Sequence, residues 1–177
     1  GGGSVTRDVN VTVRPADPDD AEAIHALGRA AWHAAYDDVF GPDRVDRVVD
    51  QWWGVESLRG AAVAEERAFL VATDAGAVVG VADAGPEPGE RGTYHLGRLY
   101  VHPDRWGEGV GGRLVDHLRG RLPVRAERLR LVVLAENPVG VSFYESYGFE
   151  RVDERAGETD GVEHREYVYE LSLGPQD

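Results

Sequence analysis

The 177-residue sequence contains no cysteine, no methionine and no lysine. Without cysteine, the protein has no disulfide, no thiolate metal site and no acyl-cysteine intermediate. Without lysine, it lacks the residue with which a Walker-type loop reaches the phosphates of a nucleotide. Any group transfer must therefore rely on oxygen and nitrogen atoms of the side chains and the backbone.

Positive charge is also scarce. All 19 basic residues are arginines, and 32 Asp and Glu give a net charge of −13. This balance argues against nucleic-acid binding, which needs cations against phosphates. The acidic, lysine-free composition has two explanations that stay open: a halophile's high-salt cytoplasm, which screens repulsion between acidic groups, or a GC-rich genome. An acidic surface could also attract a cationic substrate.

Long apolar runs are missing as well. No stretch approaches the ~18 apolar residues of a membrane span, and the first residues lack the basic and apolar regions of a signal peptide. We therefore expect a cytoplasmic protein without membrane contact. The length predicts one domain. We place it at residues 8–173, between a flexible N-terminus at 1–7 that begins with a linker-like GGGS and a C-terminal tail at 174–177.

Hydrophobic periodicity predicts a mixed order of strands and helices. It indicates a strand at 9–14, a helix within 16–36, weaker helices near 43–53 and 56–65, a hairpin at 68–73 and 77–85, and a strand at 93–101. A helix at 110–122, a strand at 128–135, a short helix from 137 to 148 and strands at 149–156 and 164–171 follow. The fold class is therefore α/β (α+β). Gly97 interrupts its strand, which predicts a β-bulge or a close backbone approach.

The segment RWGEGVGGRL, residues 105–114, places four glycines between a strand and a helix. Glycines at a helix start expose N–H groups at the positive end of the helix dipole, which makes an anion site. A plain strand-to-helix turn is the simpler alternative. Gly107, Gly109 and Gly112 also match the dinucleotide pattern G-x-G-x-x-G, with Glu136 as a ribose ligand. That pattern belongs to the first strand of several βαβ units, and only about forty residues follow Glu136.

A second motif, ENPVGVSFYESYGF, covers residues 136–149. Asn137 and Tyr144 lie two helical turns apart and so share one face of the short helix. Taken singly, Asn137 is compatible with an ordinary N-cap and Tyr144 with a half-buried aromatic. Together with the glycine loop, they favour a shared ligand site.

The two motifs resemble those of the GNAT superfamily of acetyl-CoA-dependent N-acetyltransferases, over about residues 93–149. The resemblance implies a mixed, mostly antiparallel sheet of about six to seven strands, splayed near the fourth strand, with helices on both faces. It implies acetyl-CoA as the acyl donor. The coenzyme would contact a strand segment, the glycine loop and the second motif, namely Leu99, Tyr100, Val101, Gly107, Glu108, Gly109, Val110, Gly111, Gly112, Arg113, Asn137, Ser142 and Tyr144.

A polyanionic coenzyme needs a locally positive entrance in so acidic a protein. Arg98, Arg105 and Arg113 are the candidates. Where the family usually has Arg or Gln before the glycine motif, this chain has Trp106, which puts a side-chain contact at that position in question.

The resemblance also assigns chemistry. Tyr144 would protonate the leaving sulfur, and a backbone N–H near Leu99 would stabilise the oxyanion. Without cysteine, direct attack in a ternary complex is the natural route. Some relatives carry a glutamate base at the position that is Val132 in this chain. Others carry one on the fourth strand, at the position that is His95 here, and the His95 imidazole could take the proton of the amine. A locally hydrogen-bonded strand histidine is the alternative for His95.

The expected acceptor is a primary amine, on a small molecule or at a protein N-terminus. The N-terminal helices would line its site with Trp32, Tyr36 and Trp53, together with His33 and Trp52, although aromatics at such places commonly fill a core. The histidines show no zinc-like spacing, so we expect no metal. A monomer or a homodimer is expected. Two other functions stay open: a non-catalytic acyl-CoA-binding sensor and an NAD-binding oxidoreductase.

Overall fold

The computed structural model describes residues 11–174. The expected flexible N-terminus at 1–7, the first two residues of the strand predicted at 9–14, and the tail beyond Gly174 lie outside this part of the chain. Within it, seven strands form one sheet: β1 (Thr12–Pro15), β2 (Ala68–Asp74), β3 (Ala77–Pro86), β4 (Thr93–Val101), β5 (Arg128–Leu134), β6 (Glu150–Thr159) and β7 (Val162–Ser172). The α-helices are α1 (Ala21–Phe40), α2 (Pro42–Trp52), α3 (Val55–Val63), α4 (Val110–Arg121) and α5 (Pro138–Tyr147).

The strand order is β1-β2-β3-β4-β5-β7-β6. Every neighbouring pair is antiparallel except β4 and β5, which are parallel because α4 carries the chain back across the sheet between them. The prediction of a mixed, mostly antiparallel sheet is therefore confirmed. The parallel, doubly wound sheet on which the dinucleotide reading depends is not present among residues 11–174.

The sheet opens between its fourth and fifth strands. β4 pairs with β5 only where residues 93–95 meet residues 128–130, and β5 then continues along β7 alone. Residues 96–101 of β4 and residues 131–134 of β5 face each other across a space that we call the wedge. The splayed sheet that the family resemblance implied is confirmed.

A bulge in β4 lies at the point where the wedge opens. Asp83 of β3 pairs with Arg98, and the next residue, Ala84, pairs with Leu96, so Gly97 has no partner. A Cβ at Gly97 would lie 2.9 Å from Oδ1 of Asp83. The bulge predicted from the glycine is present, and the neighbouring carboxylate is the reason why a side chain does not fit there.

Helices cover both faces of the sheet. Helices α1, α2 and α3 pack on one face around a core that contains Ile24, Trp53 and Val81. Helices α4 and α5 cover the other face, where Leu114 and Tyr169 are fully buried. Before α1, the side chains of Asp17 and Asp20 cap a short 3-10 turn that begins with a proline. In the described part of the chain, every helix is too short or too polar to traverse a bilayer.

Candidate active site

The wedge is the mouth of a cavity of about 1210 Å³ that passes through the sheet. Strands β4 and β5 form its two walls, α4 and α5 close it on one face of the sheet, and α1 and the end of α2 close it on the other. A cavity of this size can hold a ligand larger than most drug-sized molecules. It therefore offers room for a large ligand or for two smaller ones.

The edge of β4 that faces the wedge carries backbone groups without a strand partner. The N–H of His102 donates to the carbonyl of Val79 at 2.9 Å, so His102 and Tyr100 direct their backbone polar groups toward β3. Antiparallel pairing alternates, and the backbone groups of Leu99 and Val101 therefore point into the wedge. An extended chain of a ligand could pair with this edge.

One of these groups is already engaged. The indole Nε1–H of Trp106 donates to the carbonyl of Val101 at 2.9 Å, and the ring lies at the cavity mouth. The carbonyl of Val101 thus has an internal donor, and the pairing of a ligand with Val101 stays a prediction. Trp106, at the position where the family usually has Arg or Gln, thus caps the end of the open edge.

The glycine loop ends in an uncapped helix N-terminus. Gly107 and Gly109 have φ angles of 80° and 85°, a region that only glycine enters at low cost, and Gly109 is the N-cap of α4. The first helical bond is from the N–H of Arg113 to the carbonyl of Gly109, at 3.2 Å. In residues 11–174, no protein acceptor bonds the amides of residues 109–112, and no side chain caps the helix. Free amide donors at the positive end of a helix are what an anion site needs, so the geometry is compatible with the site predicted for the loop.

The other two glycines of the loop differ in the space around them. A Cβ at Gly111 would meet the ring of Phe143 at 3.2 Å, so this glycine allows α4 to approach α5 closely. A Cβ at Gly112 would meet no atom within 4 Å. Among the predicted coenzyme contacts of this region, Glu108, Gly112 and Arg113 do not line the cavity.

The arginines expected to make the entrance positive are largely neutralised. Arg105 bridges the carboxylates of Asp74, at 2.8 Å, and Glu108, at 2.9 Å. Arg98 binds the carboxylate of buried Asp83 and also donates to the carbonyl of Trp52 at 3.0 Å. Arg98 and Arg105 line the cavity as predicted, but each is ion-paired, so neither brings an uncompensated positive charge to it. The backbone amides of α4 provide the positive potential instead.

Asn137 is the N-cap of α5 and also connects two helices. Its Oδ1 accepts from the N–H of Gly140 at 3.0 Å, and its Nδ2 donates to the hydroxyl of Tyr36 on α1 at 3.0 Å. Both polar atoms of the side chain are thus used within the protein. Asn137 lines the cavity, as does Ser142 one turn further along α5, which is exposed.

Tyr144 lies between the core and the cavity. Its ring packs edge-on against Phe149 at 5.5 Å, and its hydroxyl has no hydrogen-bond partner within residues 11–174. Burial, together with the nearby Tyr100, raises the pKa of Tyr144 well above its usual value. Burial likewise raises the pKa of Tyr100 to about 12. Tyr144 is therefore a protonated donor at any ordinary pH.

His95 faces the same cavity from β4, two residues before the bulge. Its Nδ1 lies 3.4 Å from Oε2 of Glu87, a carboxylate that the sequence analysis did not single out. Burial lowers the pKa of His95, and Glu87 opposes that effect only in part. The imidazole is therefore mainly neutral at pH 7, and the Glu87 carboxylate can stabilise its protonated form. The pairing of Gly85 with His95 across the β3–β4 hairpin is what brings Glu87 close.

The aromatic residues predicted for the acceptor side line the cavity but are mostly core. Trp32, Tyr36 and Trp53 are each 2% exposed, whereas Trp52 is 49% exposed. Trp32 packs on Tyr36 at a ring distance of 4.5 Å. Its buried indole N–H lies close enough to the Tyr100 hydroxyl to lower the pKa of that residue slightly, but it makes no hydrogen bond of ordinary geometry among the described residues. His33 does not line the cavity.

The sequence analysis also did not predict a buried cluster of charged side chains next to the bulge. Asp83 is completely buried and binds both Arg98 and Arg67, the latter at 3.2 Å. An aspartate within the apolar strand GVADAG is the signal that could have revealed it, because a buried carboxylate requires cationic partners. The sequence does not say which arginines these are.

Comparisons with known proteins agree with this geometry. Residues 36–171 match the family model described as the acetyltransferase (GNAT) domain. An acetyltransferase of Sodalis glossinidius is 36% identical over 86 residues, which are 48% of this chain and 58% of that protein. An acetyltransferase of Yersinia enterocolitica matches similarly, so the chain spans less than two thirds of the length of these two relatives.

Solved structures share the fold. The PaiA N-acetyltransferase of Thermoplasma acidophilum, determined in complex with coenzyme A, has a TM-score of 0.77 at 21% identity, over 92% of this chain and 98% of that one. The ribosomal-protein-S18-alanine N-acetyltransferase of Escherichia coli has a TM-score of 0.69 at 22% identity, over 94% and 96% of the two chains. At these identities the likeness concerns the fold alone. The family match, which extends over most of the chain, establishes that this protein belongs to the GNAT acetyltransferase family.

Proposed function

We propose that the protein transfers an acetyl group from acetyl-CoA to a primary amine, on a small molecule or at a protein N-terminus, by direct attack in a ternary complex. One observation carries this proposal. The unbonded amides at the start of α4 and the open edge of β4 line the same cavity, so a single ligand with a pyrophosphate and an extended amide-containing arm can use both. The solved structure of the Thermoplasma acidophilum neighbour is a coenzyme A complex, which supports the choice of donor.

The donor would lie along the wedge. Its pyrophosphate would accept hydrogen bonds from the amides of residues 109–111, which line the cavity, and its pantetheine arm would pair with the backbone of Leu99 and with the N–H of Val101. The carbonyl of Val101 would become available only if the Trp106 indole moves away. Ser142, exposed on α5, could contact the same arm.

The chemical step assigns one task to each group. The neutral amine attacks the thioester carbonyl, and His95 takes the proton that the amine loses, with Glu87 stabilising the imidazolium. The oxygen of the tetrahedral intermediate accepts from the Leu99 N–H. When the carbon–sulfur bond breaks, Tyr144 donates its hydroxyl proton to the departing sulfur. The raised pKa of Tyr144 keeps that proton in place until the sulfur becomes negative.

The test is release of free thiol from acetyl-CoA with a panel of amines, followed by replacement of Tyr144. Tyr144→Phe should lower kcat at least tenfold and leave coenzyme A affinity nearly unchanged, in line with the contribution of a general acid. Tyr147→Phe is the matched control, because Tyr147 lies one turn away on α5 and its hydroxyl donates to Asp116 outside the cavity. Equal turnover in both variants would remove Tyr144 from the mechanism.

The other two functions predict different outcomes in the same assays. A non-catalytic sensor would be stabilised by coenzyme A in a thermal shift measurement without releasing thiol. An oxidoreductase would be stabilised by NAD and not by coenzyme A.

A further inference from the structure

The acceptor side of the cavity contains more arginine than its local acids balance. Arg67 and Arg98 both line the cavity on the face of the sheet covered by α1 to α3. They share one carboxylate, that of Asp83, which is completely buried and cannot reach the solvent or a ligand. Two guanidinium groups therefore share one carboxylate, which leaves one positive charge uncompensated at this point.

The two arginines differ in how firmly they are held. Arg98 binds Asp83 and the carbonyl of Trp52, and its guanidinium lies over the ring of Trp53 at 5.3 Å. Within residues 11–174, Arg67 has only the ion pair with Asp83, and 35% of its side chain is exposed. Arg67 is thus the cation with donors left over for a ligand.

Two glycines leave the space that the Arg67 guanidinium occupies. A Cβ at Gly85 would lie 2.8 Å from its Nη1, and a Cβ at Gly97 would lie 3.2 Å from its Nη2. The guanidinium consequently rests across β3 and β4 at the bulge. His95, the proposed base, and Leu99, the proposed oxyanion donor, lie two residues to either side of Gly97 along the same strand.

The other charged groups around the cavity leave this surplus in place. Glu87 faces His95 at 3.4 Å and balances that residue once it is protonated. Glu158 and Glu166 line the cavity from the β6–β7 hairpin, and Glu166 pairs with Arg155 at 3.3 Å. That hairpin lies near Phe40 at the far end of α1, whereas Arg98 contacts Trp52 at the end of α2.

We infer that the acceptor amine also carries a carboxylate, which the Arg67 guanidinium binds. This inference rests on the proposed acetyl transfer. A planar guanidinium presents paired donors that match the two oxygens of a carboxylate, and such charge-assisted pairs are the strongest hydrogen bonds in protein sites. The carboxylate could belong to a free amino acid or to an acidic side chain of a peptide. Polyamines and other purely cationic amines are poor acceptors, because they would place a further positive charge beside Arg67.

The experiment compares acceptors that differ only in this charge. Free amino acids are tested against their carboxamides, and short peptides with a glutamate after the first residue against the same peptides with glutamine. The carboxylate forms should have a kcat/KM at least tenfold higher, and the pair that shows the difference identifies the source. At pH 7 the amine of an amino acid carboxamide is less basic and more often neutral than that of the free amino acid, so a preference for the acid form does not come from the protonation state of the amine.

Variants then assign the preference to one residue. Arg67→Gln should raise KM for the carboxylate acceptors at least tenfold and leave KM for the carboxamides unchanged. The variant should remain folded, because buried Asp83 keeps its ion pair with Arg98. Arg59→Gln is the control, since Arg59 pairs with Glu56 on α3 and does not line the cavity. Equal use of acids and amides by the wild type, or equal effects of Arg67→Gln on both, would overturn the inference while acetyl transfer stands.

A separate readout covers the case in which no amine releases thiol. The proposed function would then fail, and the carboxylate site would be judged by binding alone. N-acetylated amino acids are titrated into the coenzyme A-saturated protein and compared with their carboxamides. Tighter binding of the acid form by the wild type and not by Arg67→Gln supports the site, and indistinguishable binding refutes it.

Discussion

Replacing Trp106 with phenylalanine tests whether the coenzyme uses the end of β4. The indole N–H donates to the Val101 carbonyl at 2.9 Å, and a phenyl ring keeps the apolar surface but removes that donor. A neutral hydrogen bond contributes about 0.5–1.5 kcal/mol to stability. The variant should therefore unfold at a melting temperature lower by about 2–4 °C per kcal/mol lost, as is usual for a chain of this size.

The same change should strengthen coenzyme binding. In the wild type, the pantetheine arm must displace the indole before it can pair with the Val101 carbonyl, whereas in Trp106→Phe that cost disappears. The free energy of one hydrogen bond corresponds to a Kd for coenzyme A lower by about two- to tenfold. Isothermal titration calorimetry measures the Kd, and differential scanning calorimetry measures the melting temperature.

Trp52→Phe is the control for this pair of measurements, because it removes a half-exposed indole from the acceptor side of the cavity. It should leave the coenzyme Kd unchanged. A less stable Trp106→Phe protein with an unchanged or higher Kd would show that the coenzyme does not pair with Val101, and the reasoning about the β4 edge would be refuted.

Three further predictions follow from groups described above. Because burial lowers the pKa of His95, kcat/KM should rise with pH around a midpoint below the usual ~6.5, and His95→Ala should abolish this rise in a pH–rate profile. Burial lowers the pKa of His33, but hydrogen bonds to two aspartates raise it more, so the pKa is higher in the folded protein than in the unfolded chain. The stabilisation from protonated His33 is therefore complete below pH ~6.5 and is lost as the pH rises through the folded pKa. His33→Gln should remove this pH dependence of the melting temperature. Gly111→Ala should destabilise by about 1–3 kcal/mol against the Phe143 ring, whereas Gly112→Ala, with open space, should be neutral or stabilising in urea unfolding.

The features that sequence predicted best depend on local backbone geometry. The glycine loop was recognisable because two of its glycines need positive φ and a helix must follow. The bulge at Gly97 was recognisable because a glycine within an apolar strand has few other uses. The order of strands and helices followed from hydrophobic period, and the family's splayed sheet followed from the two motifs that flank the wedge.

The features that sequence could not supply depend on partners distant in the chain. Glu87 reaches His95 only through the register of the β3–β4 hairpin, which one shifted residue would change. Arg98 and Arg105 looked like available cations, because a sequence does not show which carboxylates will fold against them. The same holds for Asn137, whose bond to α1 joins residues 101 positions apart.

That bond between Asn137 and Tyr36 connects the two helices to which the proposal assigns acceptor choice and proton donation. Tyr36 belongs to the helix whose aromatic residues face the proposed acceptor, and Asn137 begins the helix that carries the proposed acid, Tyr144. Engineering that reshapes α1 for a new amine will therefore disturb turnover with every amine if it sacrifices the Tyr36 hydroxyl. Specificity can be redesigned independently at positions such as Arg67 and Trp52, which line the cavity and take no part in this bond.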